Sequence, residues 1–225
     1  MSAKLAAKLV GELPVPQWLD ERSIQNLSVV WKSIESTGRL GVIVRVAEQC
    51  RAIHILRHPC GYAASVLRGE SGGKFTDSEP SSEDYDLLKL LLETRQAGNH
   101  GLTLEALQRM TPIERLAWRW ALFNEKAMDD IQELERCMTV CYEDLCVAPE
   151  AVSRQLFNFA GLSWNSQTEQ FIRQSTAGEN FSYYSVFKDP RRSANKWRQQ
   201  LTGEDIERVL NITRQTRPGQ FYLTS

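Results

Sequence analysis

Two short apolar runs rich in β-forming residues constrain the fold more than any other feature. Ala52–Leu56 is followed by Pro59, and residues 138–142 are followed by Pro149, each proline opening a helical pattern. Strands that alternate with helices are typical of a parallel sheet with helices on its faces. We therefore expect an α/β, three-layer sandwich in which the two runs are parallel strands whose carboxyl ends share one edge.

Several helices have recognisable ends. Thr111 and Glu114 form a capping-box pattern with proline at the first helical position, which predicts a long helix over residues 112–136. A single apolar stripe follows this helix at three- and four-residue steps. Residues 149–161 predict a second helix, begun by a proline and ended by a glycine, and Thr202 begins a third.

The rest of the chain has weaker patterns. Residues 1–23 predict an irregular N-terminal segment, and residues 24–48 read as helical, although residues 41–44 also resemble a strand. Residues 69–111 are interrupted by glycines and a proline, which predicts an excursion from the sheet or an acceptor-side loop, with a short helix over residues 85–96. We interpret the 225 residues as one domain.

Composition and charge argue against several classes of protein. A net charge of −1 argues against a nucleic-acid partner, and no apolar run approaches the roughly 20 residues that span a bilayer. Lys8 interrupts any signal-peptide core, and the five cysteines contain no C-x-x-C pair. We therefore expect a cytoplasmic protein with no membrane span, no disulfide scaffold and no zinc ribbon.

Positive charge is concentrated near the C-terminus. Residues 188–217 contain eight basic and four acidic side chains, so this stretch alone resembles a surface built to meet an anion. The alternative is a solvated basic face, which is the usual explanation for a run of charges.

Residues 53–67 form the most informative segment. Arg57 follows a buried strand, and Ser65 lies about two turns into the next helix. Ligands of open α/β sheets bind beyond the carboxyl ends of strands, and an arginine fork with a hydroxyl suits a phosphate dianion. A structural arginine paired with a carboxylate explains the pattern equally well.

This segment resembles the 3′-phosphate-binding motif of the sulfotransferases that use 3′-phosphoadenosine 5′-phosphosulfate. That motif has an apolar strand, R-[DN]-P, and a serine eight residues after the arginine, a spacing met by Arg57 and Ser65. His58 replaces the usual acid, which should weaken the helix cap. Residues 140–145 resemble the family's Y-E-D-L strand end, and residues 188–201 resemble its segment before the last helix.

The three ordered matches span residues 42–210 and imply a P-loop-kinase-like sulfotransferase fold. The implied reaction is sulfuryl transfer to a hydroxyl or amine of a small-molecule or carbohydrate acceptor. The implied cofactor-binding residues are Arg57, Ser65, Tyr142, Lys196 and Arg198. The first two would hold the 3′-phosphate, the tyrosine would lie near the adenine, and the last two would add positive charge.

One family element has no counterpart. The loop G-x-x-R-S-G-T-[TS], which holds the 5′-phosphosulfate, is not found, and residues 69–74 do not replace it. We therefore expect a sulfotransferase fold truncated at its N-terminus, with an exposed sheet edge and a tendency to self-associate. The alternative is a non-catalytic module that keeps only the 3′-phosphate pocket. A nucleotide kinase is disfavoured because no Walker A motif occurs.

Other polar residues have ordinary explanations. His100, between glycines in an exposed-looking loop, is a weak candidate for a general base, and no other catalytic residue is assigned. His54 alternates with apolar neighbours and is interpreted as a core histidine. Glu143 and Asp144 are interpreted as helix-capping or ion-pairing acids, because a metal site there lacks a histidine.

Overall fold

The computed structural model describes residues 28–34, 36–72, 80–177 and 189–224. Within these ranges the chain is a mostly helical α/β fold with a small parallel sheet. The irregular segment expected over residues 1–23, residues 73–79 of the expected excursion and Lys188 of the third motif lie outside the described residues. In the described ranges, no helix combines the length and the apolar character needed to cross a bilayer.

A short 3-10 turn, Thr37–Arg39, precedes the first helix. The elements that follow are, in chain order, α1 Leu40–Val46, β1 Ala52–Leu56, α2 Pro59–Ser71, α3 Tyr85–Leu92, α4 Arg95–Asn99, α5 Leu104–Arg109, α6 Pro112–Ile131, β2 Cys137–Cys141, α7 Tyr142–Val147, α8 Pro149–Ala160, α9 Ser166–Ala177, α10 Pro190–Asn195, α11 Trp197–Gln200, α12 Gly203–Thr213 and α13 Arg217–Thr224.

Strands β1 and β2 pair in parallel, with Ala52 opposite Cys137 and Leu56 opposite Cys141. This confirms that the two runs share a carboxyl edge, although β2 begins and ends one residue earlier than predicted. Neither strand pairs with a third within the described ranges, and Ile55 of β1 is 51% exposed. Self-association through this sheet stays a prediction.

Helix α6 is the centre of the packing. The Glu114 carboxylate accepts hydrogen bonds from the amide of Thr111 at 2.7 Å and from its hydroxyl at 2.6 Å, so the predicted capping box is present. The buried stripe of α6 packs against β1, α2, α12 and α13. The helix ends at Ile131 instead of residue 136, because the chain turns there to enter β2.

The helix predicted over residues 24–48 is confirmed only over α1 and is wrong over residues 28–34. Residues 28–34 are not helical, and only the short α1 follows. Residues 41–44 belong to α1, so the strand alternative is wrong as well. A Cβ at Gly41 would lie 2.5 Å from Asp130, so this glycine is needed where α1 approaches α6. Glycines in the segment lower its helical propensity.

The stretch after residue 80 is a packed group of helices. Helices α3, α4 and α5 bury a common cluster against α6, formed by Leu88, Leu91, Ala97, Leu107 and Leu122. The short helix predicted over residues 85–96 is present as two helices, α3 and α4. The role of this group beside an acceptor stays a prediction.

Candidate functional site

Arg57 leaves the carboxyl end of β1 and lies over Tyr142, the first residue after β2. Its Cζ atom is 5.2 Å from the centroid of the tyrosine ring. The Arg57 carbonyl accepts a hydrogen bond from Trp120 Nε1 at 2.9 Å, which fixes the backbone. A Cβ on Gly61 would lie 3.1 Å from Arg57 Nε, so the glycine leaves room for the arginine. The parallel register therefore brings two residues implied by the motif together.

Arg57 has no carboxylate partner among the described residues. Among the residues that the structure describes, it forms no salt bridge, and its buried Nε has no hydrogen-bond partner. The alternative of a structural arginine–carboxylate pair is thus not found within the described ranges. A buried donor without an acceptor is destabilising.

His58 caps α2. Its Nδ1 accepts a hydrogen bond from the Cys60 amide at 3.2 Å, so the imidazole supplies a cap, and a cap weaker than that of an acid stays a prediction. The imidazole stacks on Trp197 with centroids 4.5 Å apart and an interplanar angle of 11°. Burial, followed by the charges of Arg198 and Arg57, lowers the pKa of His58 to about 4. The neutral ring is the form that accepts the amide hydrogen bond.

Two further arginines lie near the N-terminus of α2. Arg198 Cζ is 4.4 Å from the centroid of Trp197. Burial raises the pKa of the Cys60 thiol to about 12, while the charges of Arg198 and Arg214 oppose this rise. Arg57, Arg198 and Arg214 form no salt bridges within the described ranges. Together with the N-terminal end of the helix dipole, these charges favour an anion.

Two implied ligands are placed without a demonstrated role. Ser65 lies half-buried on α2, and Lys196 lies exposed between α10 and α11. No shared hydrogen-bond or ion-pair partner links Lys196 to Arg57 in the part of the chain that the structure describes. Their contribution to phosphate binding stays a prediction. Tyr142 begins α7, and burial and its hydrogen bond to Cys146 raise its pKa, so the ring is neutral.

Glu143 and Tyr222 complete the edge, and sequence reasoning assigned them no part in the site. Glu143 Oε1 accepts a hydrogen bond from the His58 amide at 3.2 Å, and Oε2 accepts one from the Tyr222 hydroxyl. The same hydroxyl lies 2.8 Å from the Leu56 carbonyl oxygen, and the Tyr222 ring meets His58 edge-on. Helix α13 therefore borders the site. No periodic pattern signals a contact so distant along the chain.

Two cavities lie near the sheet. A pocket of about 210 Å³ lies at the N-terminus of α2 and is lined by His58, Pro59, Arg214 and Tyr222 among others. A larger cleft of about 490 Å³ lies against β2, between α6 and α13. The described lining of neither cavity includes Arg57, and the smaller pocket is lined by one of the three arginines, Arg214.

His100 is not in an exposed loop, which corrects that expectation. It is the C-cap residue of α4, and its Nε2 lies 2.7 Å from Glu125 Oε2. Its side chain is only 16% exposed and packs against Trp118. It belongs to a network across α4, α6 and α13, here called the Asp129 network. The members of this network are Gln96, His100, Glu125, Asp129 and Arg217.

His54 is a core histidine, as predicted. Its side chain is buried, and its ring nitrogens lie 2.9 Å from Asn124 Oδ1 and 3.3 Å from Thr139 Oγ1. Burial lowers its pKa, and the Asn124 hydrogen bond opposes this shift. Because both nitrogens have partners within the fold, His54 is not a candidate for chemistry at the site.

Comparisons of the chain with models of known protein families, with curated proteins and with solved structures gave no match. A functional assignment therefore depends on the chemistry of the carboxyl edge. There, the described residues place three arginines near a helix N-terminus, with one guanidinium over a tyrosine ring.

Proposed function

We propose that the chain is sulfotransferase-like and binds the 3′-phosphate of 3′-phosphoadenosine 5′-phosphosulfate, or of its product, at the carboxyl edge of the sheet. The observation that carries the proposal is the position of Arg57, over Tyr142 and without a carboxylate partner in the described ranges. A phosphate dianion would supply the missing counter-charge to the guanidinium. Arg198 and Arg214 would add attraction, and Tyr142 would offer its neutral ring to the nucleotide.

The finer fold in this proposal is a three-layer sandwich of the P-loop-kinase-like sulfotransferase type. Helix α6 covers one face of the sheet. Helix α8 begins beyond the carboxyl edge and ends near the amino end of β1, where Arg51 Nη1 donates a hydrogen bond to the Phe159 carbonyl. Because α8 runs back from the carboxyl edge of the sheet toward its amino end, it supports a second helical layer.

The proposed reaction is sulfuryl transfer to a small-molecule or carbohydrate hydroxyl or amine. The acceptor atom would bond to sulfur as the bond from sulfur to the 5′-phosphate oxygen breaks. The electron pair would leave with adenosine 3′,5′-bisphosphate, and the acceptor proton would pass to a base. Arg57 would hold the nucleotide, and Arg198 would attract its phosphate. His100 is the candidate base, and its pairing with Glu125 would orient the imidazole.

A second candidate function is nucleotide binding without transfer. It is favoured by one observation, since no segment of the printed sequence resembles the 5′-phosphosulfate loop. One measurement distinguishes the two functions. It is the transfer of labelled sulfate from the cofactor to a panel of hydroxyl and amine acceptors. Labelled product would support the enzyme, whereas bisphosphate binding without product would support the binding module.

The first test is the effect of Arg57→Ala on the binding of two nucleotides, measured by calorimetry. The wild type should prefer adenosine 3′,5′-bisphosphate to adenosine 5′-monophosphate, because only the former has a 3′-phosphate. A charge-assisted contact is worth about 1.5–3 kcal/mol, so the variant should bind the bisphosphate roughly ten- to a hundredfold more weakly. Binding of the monophosphate should change little.

Arg109→Ala is the matched control, since Arg109 is an exposed arginine of α5, remote in sequence from the motif. This variant should bind both nucleotides as the wild type does. Equal affinity of the wild type for the two nucleotides, or binding of neither, would refute the proposed function.

A further inference from the structure

Glu143 is the acid next to the tyrosine on which Arg57 lies. Burial and the hydrogen bond to Cys146 raise the pKa of Tyr142, and the charges of Arg57 and Glu143 then act in opposite directions. Both charges also act on the Cys146 thiol. Glu143 follows Tyr142, over which Arg57 lies, and its carboxylate accepts a hydrogen bond from the amide of His58, the residue after Arg57. The carboxylate is therefore near an arginine that has no counter-ion within the described ranges, and yet the two form no salt bridge.

Both carboxylate oxygens are held by other donors. The His58 amide donates to Oε1, and the Tyr222 hydroxyl donates to Oε2. Tyr222 is fixed in turn, since it packs with Leu56 and Trp120. Its helix, α13, is anchored to α6 by a 2.6 Å hydrogen bond from Arg217 Nη1 to Asp129.

We propose that Tyr222 is a positioning residue, which holds the Glu143 carboxylate away from Arg57 and so keeps the guanidinium available to the nucleotide phosphate. This inference rests on the proposed function of the site. Without the Tyr222 hydroxyl, one carboxylate oxygen loses its donor, and Coulomb attraction draws the carboxylate toward the unpaired arginine. An internal Arg57–Glu143 pair would then compete with the phosphate.

The test is a double-mutant cycle on bisphosphate affinity. Tyr222→Phe keeps the ring and removes the hydroxyl, so it should weaken binding about fivefold, within the usual range of coupling between neighbouring residues. Glu143→Gln removes the competing charge and should strengthen binding about twofold. In the Glu143→Gln background, Tyr222→Phe should have no further effect. Asp144→Asn is the matched control, because its exposed side chain neighbours Glu143 in α7.

The double variant separates positioning from a structural role. If Tyr222→Phe weakens binding equally in the wild type and in the Glu143→Gln background, the hydroxyl acts on the fold alone and the proposal is wrong. No loss in the single variant also overturns it. If Tyr222→Phe does not fold, Glu143→Gln decides the question: a gain in bisphosphate affinity well above about twofold would show that the carboxylate already pairs with Arg57 in the wild type, which contradicts the proposal, whereas a gain of about twofold or less agrees with it.

A second measurement needs no nucleotide. Phenylglyoxal modifies arginines that are not ion-paired, and peptide mass spectrometry reports the rate at Arg57. Tyr222→Phe should slow this modification severalfold, and adding Glu143→Gln should restore the rate. If the wild type binds neither nucleotide, the proposed function fails, but these rates still test the positioning. Equal rates in wild type and Tyr222→Phe would refute it.

Discussion

The Asp129 network and the carboxyl edge differ in whether their arginines have acidic partners among the described residues. In the network, Arg217 Nη1 lies 2.6 Å from Asp129 Oδ1, and Gln96 Nε2 donates to Oδ2 at 2.7 Å. At the carboxyl edge, Arg57 and Arg198 lie against aromatic rings and have no acidic partner within the described ranges. The first arrangement joins helices to one another, whereas the second leaves positive charge that no acidic side chain of the described ranges neutralises.

This difference favours the edge as the region that would bind the nucleotide. Neighbouring like charges destabilise a folded chain, and paired charges do not. Unpaired arginines beside a helix N-terminus are therefore costly unless a ligand neutralises them. The network should then govern stability and the edge should govern binding, so variants of the two regions should affect different measurements.

The largest effect on stability should come from Asp129→Ala. Gln96 is 4% exposed and loses its acceptor in this variant, and Arg217 loses its ion pair. The free energy of unfolding should fall by about 2–3 kcal/mol, measured by urea denaturation. Asp86→Ala, whose side chain is 95% exposed, should change it by less than about 0.5 kcal/mol. A large loss of bisphosphate affinity in Asp129→Ala would show that the network also governs binding, which contradicts the separation of the two regions.

A smaller effect should follow from pH. Burial would raise the pKa of Asp129, but hydrogen bonds from Gln96 and Arg217 outweigh it and hold the pKa below its usual value. The stabilisation is complete above the unfolded pKa of about 3.9 and is lost as pH falls through the folded pKa. Denaturation curves should therefore show the difference between wild type and Asp129→Asn shrinking below about pH 4. A constant difference down to about pH 3 would contradict this.

The smallest effect should come from Arg198→Ala, because Arg198 is exposed and stacks on Trp197. Bisphosphate binding should weaken about threefold, less than for Arg57→Ala. Since the Arg198 charge helps burial to lower the pKa of His58, the variant should raise that pKa above about 4. An NMR titration of the imidazole measures it, and an unchanged His58 pKa would show that Arg198 lies too far from the site to act.

Local patterns predicted the elements that build the edge. Ala52–Leu56 was predicted with the bounds of β1, because an apolar run ends just before a helix-opening proline. Gly161 ends α8 in the left-handed conformation, with φ of 70°, as a stop signal should. The position of Arg57 beyond a strand follows from these signals.

Contacts made by the fold could not be predicted in the same way. The stacking of His58 on Trp197 and the bond from Tyr222 to Glu143 join residues far apart in sequence, and neither has a periodic signature. His100 was misread because glycines suggested a loop, whereas burial against Trp118 and Glu125 decides its position. Whether an arginine lacks a counter-ion depends on every neighbour, so it is visible only in the folded chain.

The parallel ladder has a consequence for the order of folding. Its partners His54 and Thr139 are 85 residues apart along the chain, and the whole of α2 through α6 lies between them. Pairing the two strands closes a long loop, and this costs conformational entropy before contacts between the strands can offset the cost. The intervening helices should therefore form first. Arg57 meets Tyr142 only when the ladder closes, and the proposed anion site is therefore among the last features to form as the chain folds.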